Sequence, residues 1–213
     1  MRINSDCQKL LLLPSGYPRR WAFAKLRMIN ALIQYDLELL KELVQLIDQQ
    51  IEKICQLCSE VDDPDSLGYF DRAEHVTGLG FVACQTFMSS VCGNLGVSKR
   101  DALAIGPSHS SGNTKAQIIN HAANYWKHKN EWDPSKKDKR REDIEKAFES
   151  VGFSVDLDYP LSGVLTELSL PGEARFQSVL GALDVWKDEL EKIAKPSRQL
   201  EIIRDVYIFR LRS

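Results

Sequence analysis

Four polar side chains between Thr114 and Trp132 could do chemistry together: His121, Asn124, His128 and Glu131. They recur at steps of three and four, which at about 100° per residue places them on one side of a helix. Ile118, Ile119, Ala122 and Trp126 fall on another side. An imidazole changes charge near neutral pH, so His121 and His128 can take or give a proton there. Asn124 can hold a phosphate or a base edge. A carboxylate beside His128 would favour the charged ring, and burial against Trp126 or Trp132 the neutral one. The bland alternative for this stripe is a solvated face, or histidines satisfied in a core.

The helix that carries the stripe has a legible start and stop. Thr114 followed by Gln117 fits a capping box, in which hydroxyl and amide satisfy exposed backbone donors. Pro134 pushes Asp133 out of the helical region and ends the helix near Trp132. The loop GPSHSSGN, from Gly106 to Asn113, delivers the chain to this helix. Beyond it lies the most basic segment, with seven Lys or Arg against three Asp or Glu from Lys127 to Arg141. Lys127, Lys136, Lys137, Lys139, Arg140 and Arg141 would make a phosphate-contacting patch beside the stripe. Their other reading is a solvated loop that enters a charged helix. A second cluster, DRAEH from Asp71 to His75, opens the preceding helix. Arg72, Glu74 and His75 are the expected counterpart of the stripe across the bundle.

The elements that must position these residues are helical. From about Trp21 to Glu60, Leu26, Ile29, Ile33, Leu37, Leu40, Val44, Ile47, Ile51 and Ile54 form a sustained apolar seam. Leu39, Leu43, Leu46 and Leu57 widen it, so more than one partner helix is expected. DDPDSLG makes a turn, and a second helix runs from about Tyr69 to Asn94. There Gly78 and Gly80 cost helix propensity and call for a packing reason, the close approach of another helix. Short helices are expected up to Ser150 and from Ser162 to Ser169. A longer one, from about Glu173 to Lys195, is expected to end at Pro196. The fold class is therefore all-α: a helical bundle built on one very long N-terminal helix. Any strand is confined to the arm, the 151–160 stretch or the tail. The division reads as one helical domain over residues 1–213. It has an N-terminal arm (1–20), a three-helix core (21–132) and a C-terminal helical extension (133–213).

Composition narrows the function. The chain has 213 residues, 43% hydrophobic and 27% charged, with a formal net charge of -2. That balance argues against a wholesale polyanion binder and leaves nucleic-acid contact to a local patch. No apolar run near the ~20 residues of a membrane span is evident, and Leu10 to Leu13 is too short for a signal-peptide core. The expected compartment is the cytoplasm, with no membrane partner. Cys7, Cys55, Cys58, Cys84 and Cys92 fit it, as an odd set without disulfide spacing. They read as small buried hydrophobes. No phosphate-binding glycine loop, HExxH, di-iron ExxH pair or GxSxG elbow is present. No cofactor or metal is expected.

A long first helix, a second helix with an acidic cluster and a third with NHAANYWKH resemble the HEPN superfamily. That family comprises helical bundles, often dimeric, many of them RNases of toxin–antitoxin and phage-defence systems. Its motif is an arginine, usually followed by a polar residue, with a histidine four to six residues further on. The resemblance spans roughly Trp21 to Trp132. It gives His128 the family histidine's place and Asn124 that of a polar partner. No arginine precedes His128 in this helix; Asn120 and His121 stand there, and Arg72 is the substitute on offer. The resemblance implies a metal-independent endoribonuclease, or an inactive homologue that binds RNA. In it His128 would act as general acid or base, with His121 and Asn124 positioning the phosphate. The alternative is a non-catalytic protein-interaction bundle, antitoxin-like or a scaffold. On either reading the long helix, apolar on more than one face, leads us to expect a homodimer.

Overall fold

The computed structural model describes residues 17–133 and 138–212. Among the described residues the chain forms seven helices and no strand. They are α1 (Tyr17–Ser59), α2 (Tyr69–Leu95), α3 (Lys99–Leu103), α4 (Lys115–His128), α5 (Lys139–Ser150), α6 (Pro160–Leu168) and α7 (Phe176–Arg212). A 3₁₀ turn, Lys129–Glu131, follows α4. The all-α bundle on a long N-terminal helix is thus what the chain forms. Its only β-type pairing among the described residues is an isolated bridge between Ser108 and Thr114.

Two expectations are corrected. α1 starts inside the supposed arm, with Pro18 in its first turn, where a missing N–H leaves no bond unmade. The 151–160 stretch, where a strand was allowed, holds none, and the tail takes the helical alternative as the end of α7. And α7 runs through Pro196 instead of stopping there. Proline removes one backbone bond and crowds the preceding turn, but the sequence on both sides is rich in Leu, Glu, Lys and Arg, all good helix formers.

α1 and α2 pack along each other. Ile33, Leu37, Leu40, Val44, Ile51 and Ile54 form the buried seam of α1. α2 is the hub: α1, α4, α6 and α7 all lie against it. By length and composition α2 could cross a membrane, with a mean hydropathy of 1.3, contrary to the expectation that no run would qualify. Its apolarity has a packing cause, since 56% of its most apolar stretch is buried inside the bundle. Gly78 and Gly80 of α2 serve the predicted purpose. A Cβ on Gly78 would lie 2.2 Å from the Trp126 ring, and one on Gly80 2.4 Å from the Phe176 ring. One continuous core runs from Ile33 to Ala194. α6 and α7 contribute to it Leu161, Val164, Leu165, Phe176, Leu183 and Trp186.

Helix ends are fixed by side chains from distant elements. The Asp48 carboxylate on α1 accepts from the backbone N–H of Phe176 (2.8 Å) and Gln177 (3.0 Å), and so caps α7. The Trp186 indole donates to the Ala102 carbonyl at 2.8 Å and ties α7 to α3. The capping box of α4 is formed: Gln117 N–H donates to Thr114 Oγ1 (3.1 Å), and Thr114 N–H donates to Gln117 Oε1 (2.8 Å).

Candidate functional site

The polar face of α4 is half sunk between its neighbours. Around the helix, Lys127, Asn120, Asn124, His128 and His121 follow one another within about a third of a turn. Asn120 is buried; Asn124, His121 and His128 are half-buried. On one flank lies the middle of α2. There the buried Gln85 places its amide nitrogen 2.8 Å from both Asn120 Oδ1 and Asn124 Oδ1. Its carbonyl oxygen accepts from Lys127 Nζ at 2.6 Å. A single glutamine thus fixes two asparagines and a lysine from successive turns of α4. Lys99, at the start of α3, lies within reach of the Lys127 charge. Burial pushes the Lys99 amine below its ordinary pKa, and the neighbouring Lys127 charge adds to this. Among the described residues neither lysine has a carboxylate partner.

The other flank of the stripe faces α5. Desolvation lowers the pKa of His121, against a small opposing pull from Asp143, so the ring favours its neutral form. Its Nδ1 is buried and has no hydrogen-bond partner among the described residues. His128 Nδ1 lies 2.8 Å from Glu131 Oε2. A carboxylate only accepts, so Nδ1 carries the hydrogen, and the neutral ring presents its lone pair at Nε2.

The acidic start of α2 does not face this stripe. The Glu74 carboxylate is 3% exposed and turns to α6. There it accepts from Leu161 N–H (2.7 Å), Ser162 N–H (2.9 Å) and the Ser162 hydroxyl (2.8 Å), so it is a helix cap. The His75 ring stands edge-on to Trp126, with centroids 4.8 Å apart, on the apolar side of α4. Its Nδ1 lies 2.9 Å from the Asp71 carbonyl. Arg72 is exposed at the surface. The expected counterpart is therefore wrong by about three turns of α2, and Gln85 takes its place.

The basic patch divides. Lys136 and Lys137 lie outside the described residues. Lys139 and Arg140 are exposed at the start of α5. Arg141 is committed to Glu145 at 2.6 Å and stacks on Trp132 at 5.5 Å. Lys129 lies over the Trp126 ring at 4.6 Å. Of the cysteines, Cys84 and Cys92 are buried, and burial pushes the Cys84 thiol up to about 12. Cys55 is exposed, so it is not the buried hydrophobe expected.

One constellation was missed. His109 lies 3.0 Å from Ser111 Oγ through Nδ1 and 3.2 Å from Glu167 Oε1 through Nε2. It has the residue types of a nucleophilic triad. However, Ser111 N–H also donates to Nδ1 (3.2 Å) and Asn113 N–H to Ser111 Oγ (3.4 Å), so these atoms hold their own turn together. Among the described residues no three His, Cys, Asp or Glu side chains gather as a metal site. Compared with family models, curated proteins and solved structures, the chain matches none.

Proposed function

We propose that the chain binds RNA through the half-buried polar face of α4, and that His128 serves proton transfer there. The observation that carries this reading is Lys127, held on the Gln85 amide beside Asn120 and Asn124, with the charge of Lys99 near enough to be felt. The two ammonium groups repel, and a phosphodiester drawn to both would relieve that repulsion. The amides beneath add hydrogen-bonding partners for a phosphate or a base edge. His128, one residue along from Lys127, then meets the backbone. Its Nε2 lone pair suits it to take the proton of a 2′-hydroxyl that attacks the adjacent phosphorus. RNA, as the source of that hydroxyl, is also the substrate that the HEPN resemblance implies.

The test is fluorescence anisotropy with labelled single-stranded RNA at several salt concentrations. Lys99→Ala and Lys127→Ala should each weaken binding and lower the salt slope by about one. His128→Ala should abolish any cleavage and leave binding intact. RNA affinity indifferent to both lysines would sink the reading. A second reading, a non-catalytic protein-interaction bundle, is favoured by the apolar side chains that α1 exposes. It predicts a stable protein complex untouched by His128→Ala.

A further inference from the structure

The hydrogen bonds on the α4 face have a fixed polarity, and it originates at Lys127. An ammonium group only donates, so the Gln85 atom 2.6 Å from Lys127 Nζ is the amide oxygen. The other branch of that amide is therefore its NH₂, which has two hydrogens to give and accepts none. Those hydrogens go to Asn120 Oδ1 and Asn124 Oδ1, both at 2.8 Å. Each asparagine thus points its oxygen inward and turns its Nδ2 away from Gln85. Neither Nδ2 has a hydrogen-bond partner among the described residues. Nor is either sealed in the core, because the buried side-chain atoms left without a partner are His121 Nδ1 and Trp132 Nε1.

A ligand at these amides meets donors. They are the two asparagine NH₂ groups, about one helical turn apart, and the remaining hydrogens of Lys127, with the Lys99 charge within reach. A base edge mixes donors with acceptors, so against this face its own donors would be left unpaired. The non-bridging oxygens of a phosphate only accept, and they carry the charge that the lysines attract. Accepting a proton falls to the Nε2 lone pair of His128, about one turn beyond Asn124. A glutamate in place of Gln85 would reverse the relay. Its carboxylate would still accept from Lys127 but would have no hydrogen to give, so both asparagines would turn to donate inward and present oxygen outward.

We infer that these amides form a phosphate socket whose donor-only polarity is set by Gln85 as a positioning residue, so that the face recognises the RNA backbone and not the base sequence. The source of the phosphate rests on the RNA reading, whereas the polarity rests on Lys127 and Gln85 alone. The test titrates inorganic phosphate into the isotope-labelled full chain, with chloride holding the ionic strength, and follows the side-chain amides by NMR. The Asn120 and Asn124 NH₂ signals should shift saturably. In anisotropy, homopolymeric A, U and C RNAs of one length should bind within about threefold of one another, and inorganic phosphate should compete with each. Gln85→Glu, at a residue that touches no ligand, should abolish the amide shifts and weaken RNA binding about tenfold or more. Ser89→Asp puts the same charge on an exposed position one turn along α2 and leaves the relay intact, so it should weaken binding far less. Should Gln85→Glu fail to fold, Asn124→Asp must give the same loss, because its carboxylate still accepts from Gln85 and sets an oxygen where the outward donor stood. Amide signals that ignore phosphate, a strong preference for one homopolymer, or a Ser89→Asp variant as damaged as Gln85→Glu overturns the inference, even with RNA binding intact. Saturable amide shifts in a chain that binds no RNA would sink the RNA reading and uphold the socket, with free phosphate as its ligand.

Discussion

Gln85 is buried on α2 and directs both ends of its amide to three residues of one other helix. A buried amide is tolerated only when its partners are supplied, and removing one partner leaves the others to bear the desolvation cost. Gln85→Ala should therefore destabilise the fold by about 2–3 kcal/mol, since it strands the buried Asn120. Asn124→Ala, at a half-exposed position where water can replace the lost group, should cost less than half as much in urea unfolding. His121 supports a pH prediction. Its folded pKa lies below the ordinary value of about 6.5, so the unfolded ring takes its proton first as pH falls. This group then costs no stability above about pH 6.5, and stability falls progressively below that until the folded ring itself protonates. Urea midpoints between about pH 7.5 and about pH 5 should decline more steeply for the wild type than for His121→Gln. Equal slopes would remove His121 from the account.

At the scale of elements, two glycines of α2 set how closely other helices approach, and the rings they meet differ in freedom. Phe176 is fully buried opposite Gly80, while Trp126 is half-buried opposite Gly78. A Cβ at either position overlaps a ring, against a propensity gain of about 1 kcal/mol for alanine over glycine. Gly80→Ala should be net destabilising by about 1–3 kcal/mol, because its ring has nowhere to go. Gly78→Ala should be milder, as Trp126 can tilt outward. Thermal melts that rank the two the other way would contradict this. Here the sequence was informative: glycines in a helix pattern announce a close approach, and Thr114 with Gln117 announces a cap. What periodicity cannot supply is the partner. Glu74 caps a helix 87 positions away, and Gln85 reaches Asn120 from 35 away. Nothing local distinguishes them from solvated polar residues. Lys99 escaped notice for the same reason, as it gains meaning only within reach of the Lys127 charge. Pro196 misled because local chemistry argues for a stop, whereas the helix continues.

At the scale of the whole molecule, α1 and α4 both pack on α2 and scarcely on each other, so α2 stands between the exposed Leu32, Leu39 and Leu46 of α1 and the polar face of α4. Coupling between these surfaces would need α2 to adopt two arrangements, and the rings seated on Gly78 and Gly80 oppose any sliding of that helix. Substitutions on the exposed side of α1 should therefore leave the polar face of α4 as it is. We expect Leu39→Ser with Leu46→Ser to bind a short RNA within about twofold of the wild type in fluorescence anisotropy. If binding collapsed with the helical circular-dichroism spectrum retained, the proposed RNA site would have to include α1.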